Sequence, residues 1–141
     1  MSSHPGYPVQ GGCLCGAVRF ELAEPPQGAG YCHCGRCQRR TGTAASPSAW
    51  AAASALRWLS GEELVRGWRH PEGGGEKCFC VNCGAHLISR MPDGETLAIR
   101  MSAFDVAPDV QFSYRQYVAF AAPWEPIPDD GLPRHEHARS R

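Results

Sequence analysis

Between positions 32 and 37 the chain reads Cys32-His33-Cys34-Gly35-Arg36-Cys37, three thiols at a C-x-C-x-x-C spacing. Thiolates this close together chelate one soft metal ion, and zinc held by three protein ligands keeps a fourth tetrahedral position for water or substrate. That is the arrangement of a reactive metal. Two further pairs, Cys13-Leu14-Cys15-Gly16 and Cys80-Val81-Asn82-Cys83-Gly84, together offer four thiolates, the usual complement of a structural zinc. The spacing predicts two zinc ions per chain. One is closed by Cys13, Cys15, Cys80 and Cys83, and the other is held openly by Cys32, Cys34 and Cys37, with Cys78 outside both. A fourth ligand from the chain itself, Cys78, His33 or His86, remains the alternative for the second site and would make it structural. His33 sits between two ligands and would point away from them in an extended segment, and His86 reads as an ordinary sheet histidine.

Arg36, Arg39 and Arg40 follow the three thiols at once. They read equally as a solvated basic loop or as a landing site for substrate carboxylates, which guanidinium groups grip in a bidentate fashion. No other catalytic grouping competes, since the chain has neither a Gly-rich phosphate loop nor a nucleophile elbow.

The elements that must carry these residues are short. The chain has 141 residues, enough for one domain, and its 16 Gly and 12 Pro break it into strands and turns. Residues 11–127 are expected to form that domain, between flexible tails at 1–10 and 128–141. Gly11 to Leu22 alternates like a half-buried strand, with Cys13 and Cys15 at its start. Residues 24–30 read as a loop. The alanine-rich stretch 44–56 is interrupted by Pro47 and flanked by Trp50 and Trp58, so it is not read as a helix. Strands are expected at 56–59, 62–69, 85–91, 95–101 and 112–120, giving a mainly β domain of six or seven strands with little helix.

Lys and Arg number 14 against 14 Asp and Glu, so the positive footprint of a nucleic-acid binder is absent. The N-terminal residues lack a basic start and an apolar stretch, and no later run is long enough to cross a bilayer. The protein is therefore expected in the cytoplasm, without nucleic-acid or membrane partners. In that reducing compartment eight cysteines bind metal more readily than they form disulfides.

In order and spacing, Gly12-Cys13-Leu14-Cys15-Gly16, Cys32-His33-Cys34-Gly35-Arg36-Cys37 with Gly42, and Phe79-Cys80-Val81-Asn82-Cys83-Gly84 resemble the glutathione-dependent formaldehyde-activating enzyme (Gfa) family, which includes centromere protein V. The resemblance spans residues 11–127 and takes in Ala122-Pro123-Trp124. It implies a fold of coiled, mostly antiparallel β-sheets, a structural zinc on the outer four cysteines and an active zinc on the middle three. It also implies carbon–sulfur lyase chemistry, in which a thiol such as glutathione joins formaldehyde reversibly as S-hydroxymethylglutathione. The chain departs from the common pattern at Phe120-Ala121-Ala122, where many relatives carry Ser-Lys before the Pro-Trp, and in the added Cys78. The rival expectation is a zinc-stabilised binding module without turnover.

Overall fold

The computed structural model describes residues 4–139. Ten strands and one helix follow one another as β1 (Val9–Gly12), β2 (Arg19–Leu22), β3 (Gly28–Cys32), α1 (Gly35–Thr41), β4 (Ser46–Ala52), β5 (Leu56–Ser60), β6 (Val65–Trp68), β7 (Glu76–Cys80), β8 (His86–Arg90), β9 (Thr96–Arg100) and β10 (Phe112–Gln116). They form a three-stranded sheet, β1-β2-β5, and a seven-stranded sheet, β10-β3-β4-β9-β8-β7-β6. All pairings are antiparallel except that of β10 with β3, so the mainly β expectation holds.

Strand alternation gives the large sheet two unlike faces. One row runs Ala49, Ile99, Ile88 and Cys78 across β4, β9, β8 and β7. These side chains pack with Phe20 and Leu22 of the small sheet and with Val18 of the turn before β2 into the core. Each fully buried Leu, Ile or Phe there contributes about 1.5–3 kcal/mol. The neighbouring row runs Trp50, Ala98, Ser89 and Lys77, and the same face carries Ser48 and Arg100 as a further cross-strand pair. That second face is polar and has no sheet over it.

Several elements differ from the sequence expectation. The strand expected from Gly11 to Leu22 is a β1-β2 hairpin, and Cys13 to Val18 is its turn, closed by Cys13 N–H donating to the Val18 carbonyl at 3.1 Å. Alternation there is interrupted because Gly16 takes φ +81°, a conformation costly for other residues. The basic loop after the three thiols is the helix α1, capped at its start by Cys34, whose sulfur accepts the Cys37 N–H, and at its end by Gly42 at φ 70°. The composition that suggested a loose C-terminal tail also misleads, since residues 130–137 lie along β10. Arg115 N–H donates to the Pro133 carbonyl at 2.9 Å, His135 N–H to the Arg115 carbonyl at 2.8 Å, and the Arg115 guanidinium pairs with Asp130 at 2.8 Å. Likewise Val9 and Gln10, assigned by composition to the N-terminal tail, pair with Leu22 and Glu21.

Candidate metal centres and the cleft beside them

The β1-β2 turn and the turn after β7 meet so that the sulfurs of Cys13, Cys15, Cys80 and Cys83 all lie within 4.8 Å of one another. Cys13 and Cys15 Sγ are 3.5 Å apart and Cys15 and Cys80 Sγ 4.0 Å. A tetrahedron with zinc–sulfur bonds of about 2.3 Å has sulfur edges of about 3.8 Å. The four-thiol set fits a metal ion of that kind. Amide groups support it: Val18 N–H donates to Cys13 Sγ at 3.3 Å, which favours the thiolate there, and Asn82 Nδ2–H donates to Cys15 Sγ at 3.3 Å. Cys83 is held down to about 6, chiefly by the Ala85 and Cys15 amides.

Cys32 ends β3, Cys34 caps α1 and Cys37 lies in its first turn, which brings their sulfurs within 4.8 Å of one another as a separate cluster. All eight cysteines are free thiols. Crowding shifts Cys32 and Cys37 in opposite directions. Cys32 is pushed far up by its hydrogen-bonding neighbours Cys34 and Cys37, while those from Cys32 and Cys34 pull Cys37 well down, with Arg40 and Arg100 adding to the pull. A soft dication matches this donor set.

Neither cluster takes in the other thiol or the histidines. Cys78 faces the core at 1% exposure, where burial raises its pKa. His33 turns away from the sulfurs, as expected, and its Nε2 accepts from Arg115 Nη1 at 3.1 Å. His86 is more than an ordinary sheet histidine. Its Nε2–H donates to the Ile88 carbonyl at 3.1 Å, which leaves Nδ1 to accept from Arg100 Nε at 2.8 Å and Arg40 Nε at 3.2 Å. Burial, then Arg100 and Arg40, hold its pKa down to about 3, so the ring is neutral.

The three-thiol cluster opens on a cleft of about 870 Å³ whose floor is the polar face of the large sheet. Of the three arginines read equally as a basic loop or a carboxylate landing site, Arg36 and Arg40 line this cleft. Arg39 instead lines an adjoining groove with Phe120 and Trp124. Arg36 ties α1 to the 72–75 loop, donating to the Gly73 carbonyl at 2.8 Å. Arg40 Nη2 reaches Cys37 Sγ at 3.6 Å. Sequence reasoning missed Arg100, Lys77, Ser46, Ser48 and Ser89 on the floor, and Trp50 and Tyr114 on the wall. Arg100 is 5% exposed, and burial, then Arg40, lower its pKa to about 10; its Nη1 donates to Ser48 Oγ at 2.6 Å. Alternation along β4 and β8 was the available signal, but the pairing partners were not.

A family described as glutathione-dependent formaldehyde-activating enzyme matches residues 8–119, a span that includes every cysteine of both clusters. The chain belongs to that family. A solved crystal structure of a Rhodobacter sphaeroides protein superposes with a TM-score of 0.60 at 24% identity, covering 74% of this chain and 100% of its own. That likeness shows the fold. No curated protein matches the chain. For a member of the Gfa family, the two thiol clusters and the open cleft are the features through which the shared sequence pattern becomes geometry. Among the described residues no helix is long and apolar enough to cross a membrane.

Proposed function

We propose that the chain is a cytoplasmic carbon–sulfur lyase of the Gfa type, joining a thiol, glutathione or a relative, reversibly to formaldehyde or another small electrophile. One observation carries this reading: all three thiols of the threefold cluster line one cleft, whereas the fourfold cluster is a knot between two turns of which only Cys13 borders a pocket. Zinc is the ion that suits both donor sets, with Cys13, Cys15, Cys80 and Cys83 holding the structural one and Cys32, Cys34 and Cys37 the catalytic one. When bound at the second site, it supplies a Lewis acid that keeps a substrate thiol ionised near neutral pH.

The chain's own groups account for the rest. Arg40 donates toward Cys37 Sγ and disperses the negative charge of the cluster. Arg100 is aimed by two contacts, His86 Nδ1 on one side and Ser48 Oγ on the other, so its charge is preorganised at the cleft floor. In the addition the sulfur forms a bond to the carbonyl carbon, the C=O π pair moves to oxygen, and that oxygen takes the proton released by the thiol. The reverse step breaks the same carbon–sulfur bond. Arg36, Arg39 and Arg40 remain candidates for the thiol's remote carboxylates, with Arg36 and Arg40 on the cleft and Arg39 on its neighbour.

The test is adduct formation from glutathione and formaldehyde followed by NMR against the spontaneous reaction. Acceleration by the native protein and none by Cys37→Ser supports the reading. Tight glutathione binding with no acceleration by either would favour the binding module.

A further inference from the structure

Lys77, Ser89 and Arg100 occupy neighbouring places on the cleft floor. Ser89 on β8 pairs directly with Lys77 on β7, and across β9 it pairs with Ala98, the residue two before Arg100 on the same face. Ser89 is 1% exposed, lines the cleft, and its hydroxyl has no hydrogen-bond partner. Ser46, cross-strand from Cys32, is a second buried hydroxyl on the cleft with no partner. A buried hydroxyl left without a partner costs free energy, and a ligand that accepts from it recovers the loss.

The charges point the same way. Among the described residues neither Lys77, Arg40 nor Arg100 pairs with a carboxylate. Among the described residues Glu72 is the one acidic group lining the cleft, and it stands on the rim, paired to Arg36. A dication with three thiolates has one net negative charge, and a substrate thiolate makes two. Three cations face them. One more anion completes the balance, and buried uncompensated charge is costly.

We propose that this floor is a carboxylate-binding site, with Lys77, Arg100 and the Ser89 hydroxyl as its donors. One of the two molecules joined at the cysteine cluster then bears a carboxylate close to its reacting atom. This rests on the reading of the cleft as a thiol-addition site and narrows its substrate class. The carboxylate enters on the aldehyde, as in a 2-oxo acid, or on the thiol, as in a mercapto acid. Either source presents the same group to the floor, whose two cations, Lys77 and Arg100, lie within electrostatic reach of Cys34 and Cys37.

Calorimetric titration of the zinc-loaded chain tests it with two charged probes, glyoxylate and mercaptoacetate, against two neutral ones, formaldehyde and mercaptoethanol. At least one charged probe is expected to bind tighter than its neutral counterpart. Ser89→Ala and Lys77→Met are each expected to weaken that probe about tenfold. The probe affected names the source. Because the Ser89 hydroxyl has no partner in the free protein, Ser89→Ala is expected to melt at the same temperature or higher, which separates a ligand role from a structural one. Equal binding of charged and neutral probes, or unchanged affinity in both variants, overturns the site. Carboxylate binding that weakens as expected in a protein that fails to accelerate any addition upholds the site and removes the proposed reaction instead.

Discussion

Arg100 donates its Nε–H to His86 Nδ1 at 2.8 Å, and through that one acceptor a second cation, Arg40, is held at 3.2 Å. Two guanidinium groups share a neutral imidazole beside the three-thiol cluster. The arrangement works only while the ring is unprotonated, because a proton on Nδ1 would remove the acceptor and place a third charge between the two.

A pH dependence follows from this ring. The folded pKa of His86 is depressed to about 3 from 6.5 in the unfolded chain, so its contribution is complete above 6.5 and is lost as pH falls toward 3. In that window the unfolded state holds one more proton, a slope of about 1.4 kcal/mol per pH unit. His86→Gln, whose side-chain oxygen can still accept from an arginine, is expected to unfold in urea with a shallower loss of stability between pH 6 and pH 4 than the native chain. Parallel pH curves would refute the assignment.

Substitution at the two thiol clusters is expected to separate folding from function. Cys83→Ser opens the knot joining the β1-β2 turn to the turn after β7. Structural zinc contributes on the order of 10 kcal/mol, comparable to the whole stability of a domain, so this variant is expected to be unfolded or aggregated. Cys37→Ser is expected to keep its circular dichroism spectrum and lose thiol addition. Equal unfolding of both would show that the cleft cluster is structural.

Metal analysis of the freshly purified chain is expected to find two zinc ions, and Cys78→Ser is expected to retain both. Cys78 lies in the core, opposite Ile88, and belongs to neither cluster. Exchange of its buried sulfur for a hydroxyl costs about 1–3 kcal/mol. Release of one ion by this variant would make Cys78 a ligand.

Gly30→Ala is expected to disturb the cleft wall. A Cβ at Gly30 would lie 2.1 Å from Tyr114 Cζ, under the ring whose hydroxyl accepts from Trp50 Nε1. The ring must move, at a cost of about 1–3 kcal/mol. A lowered melting temperature with a shifted tryptophan emission would register it, and an unchanged emission would show that the wall adapts.

By itself the sequence determined the partition of the thiols. A chelate formed by C-x-C and C-x-x-C segments is local, so spacing alone separated Cys32, Cys34 and Cys37 from the paired knuckles, while Cys78 stayed a possible fourth ligand until the structure placed it in the core. The mainly β character was equally legible from glycine, proline and alternation. Only the tertiary structure decided what faces the open cluster. Lys77, Ser89, Arg100 and Ser46 come from four different strands, and their meeting depends on the register of β7, β8, β9 and β4. A one-residue slip in any pairing would send such a side chain to the core face. The helix over 35–41 escaped notice because its N-cap is a cysteine, Cys34, rather than one of the usual capping residues. The C-terminal segment escaped notice because its attachment to β10 runs largely through backbone groups and the Arg115–Asp130 pair, which polar, proline-bearing composition does not reveal.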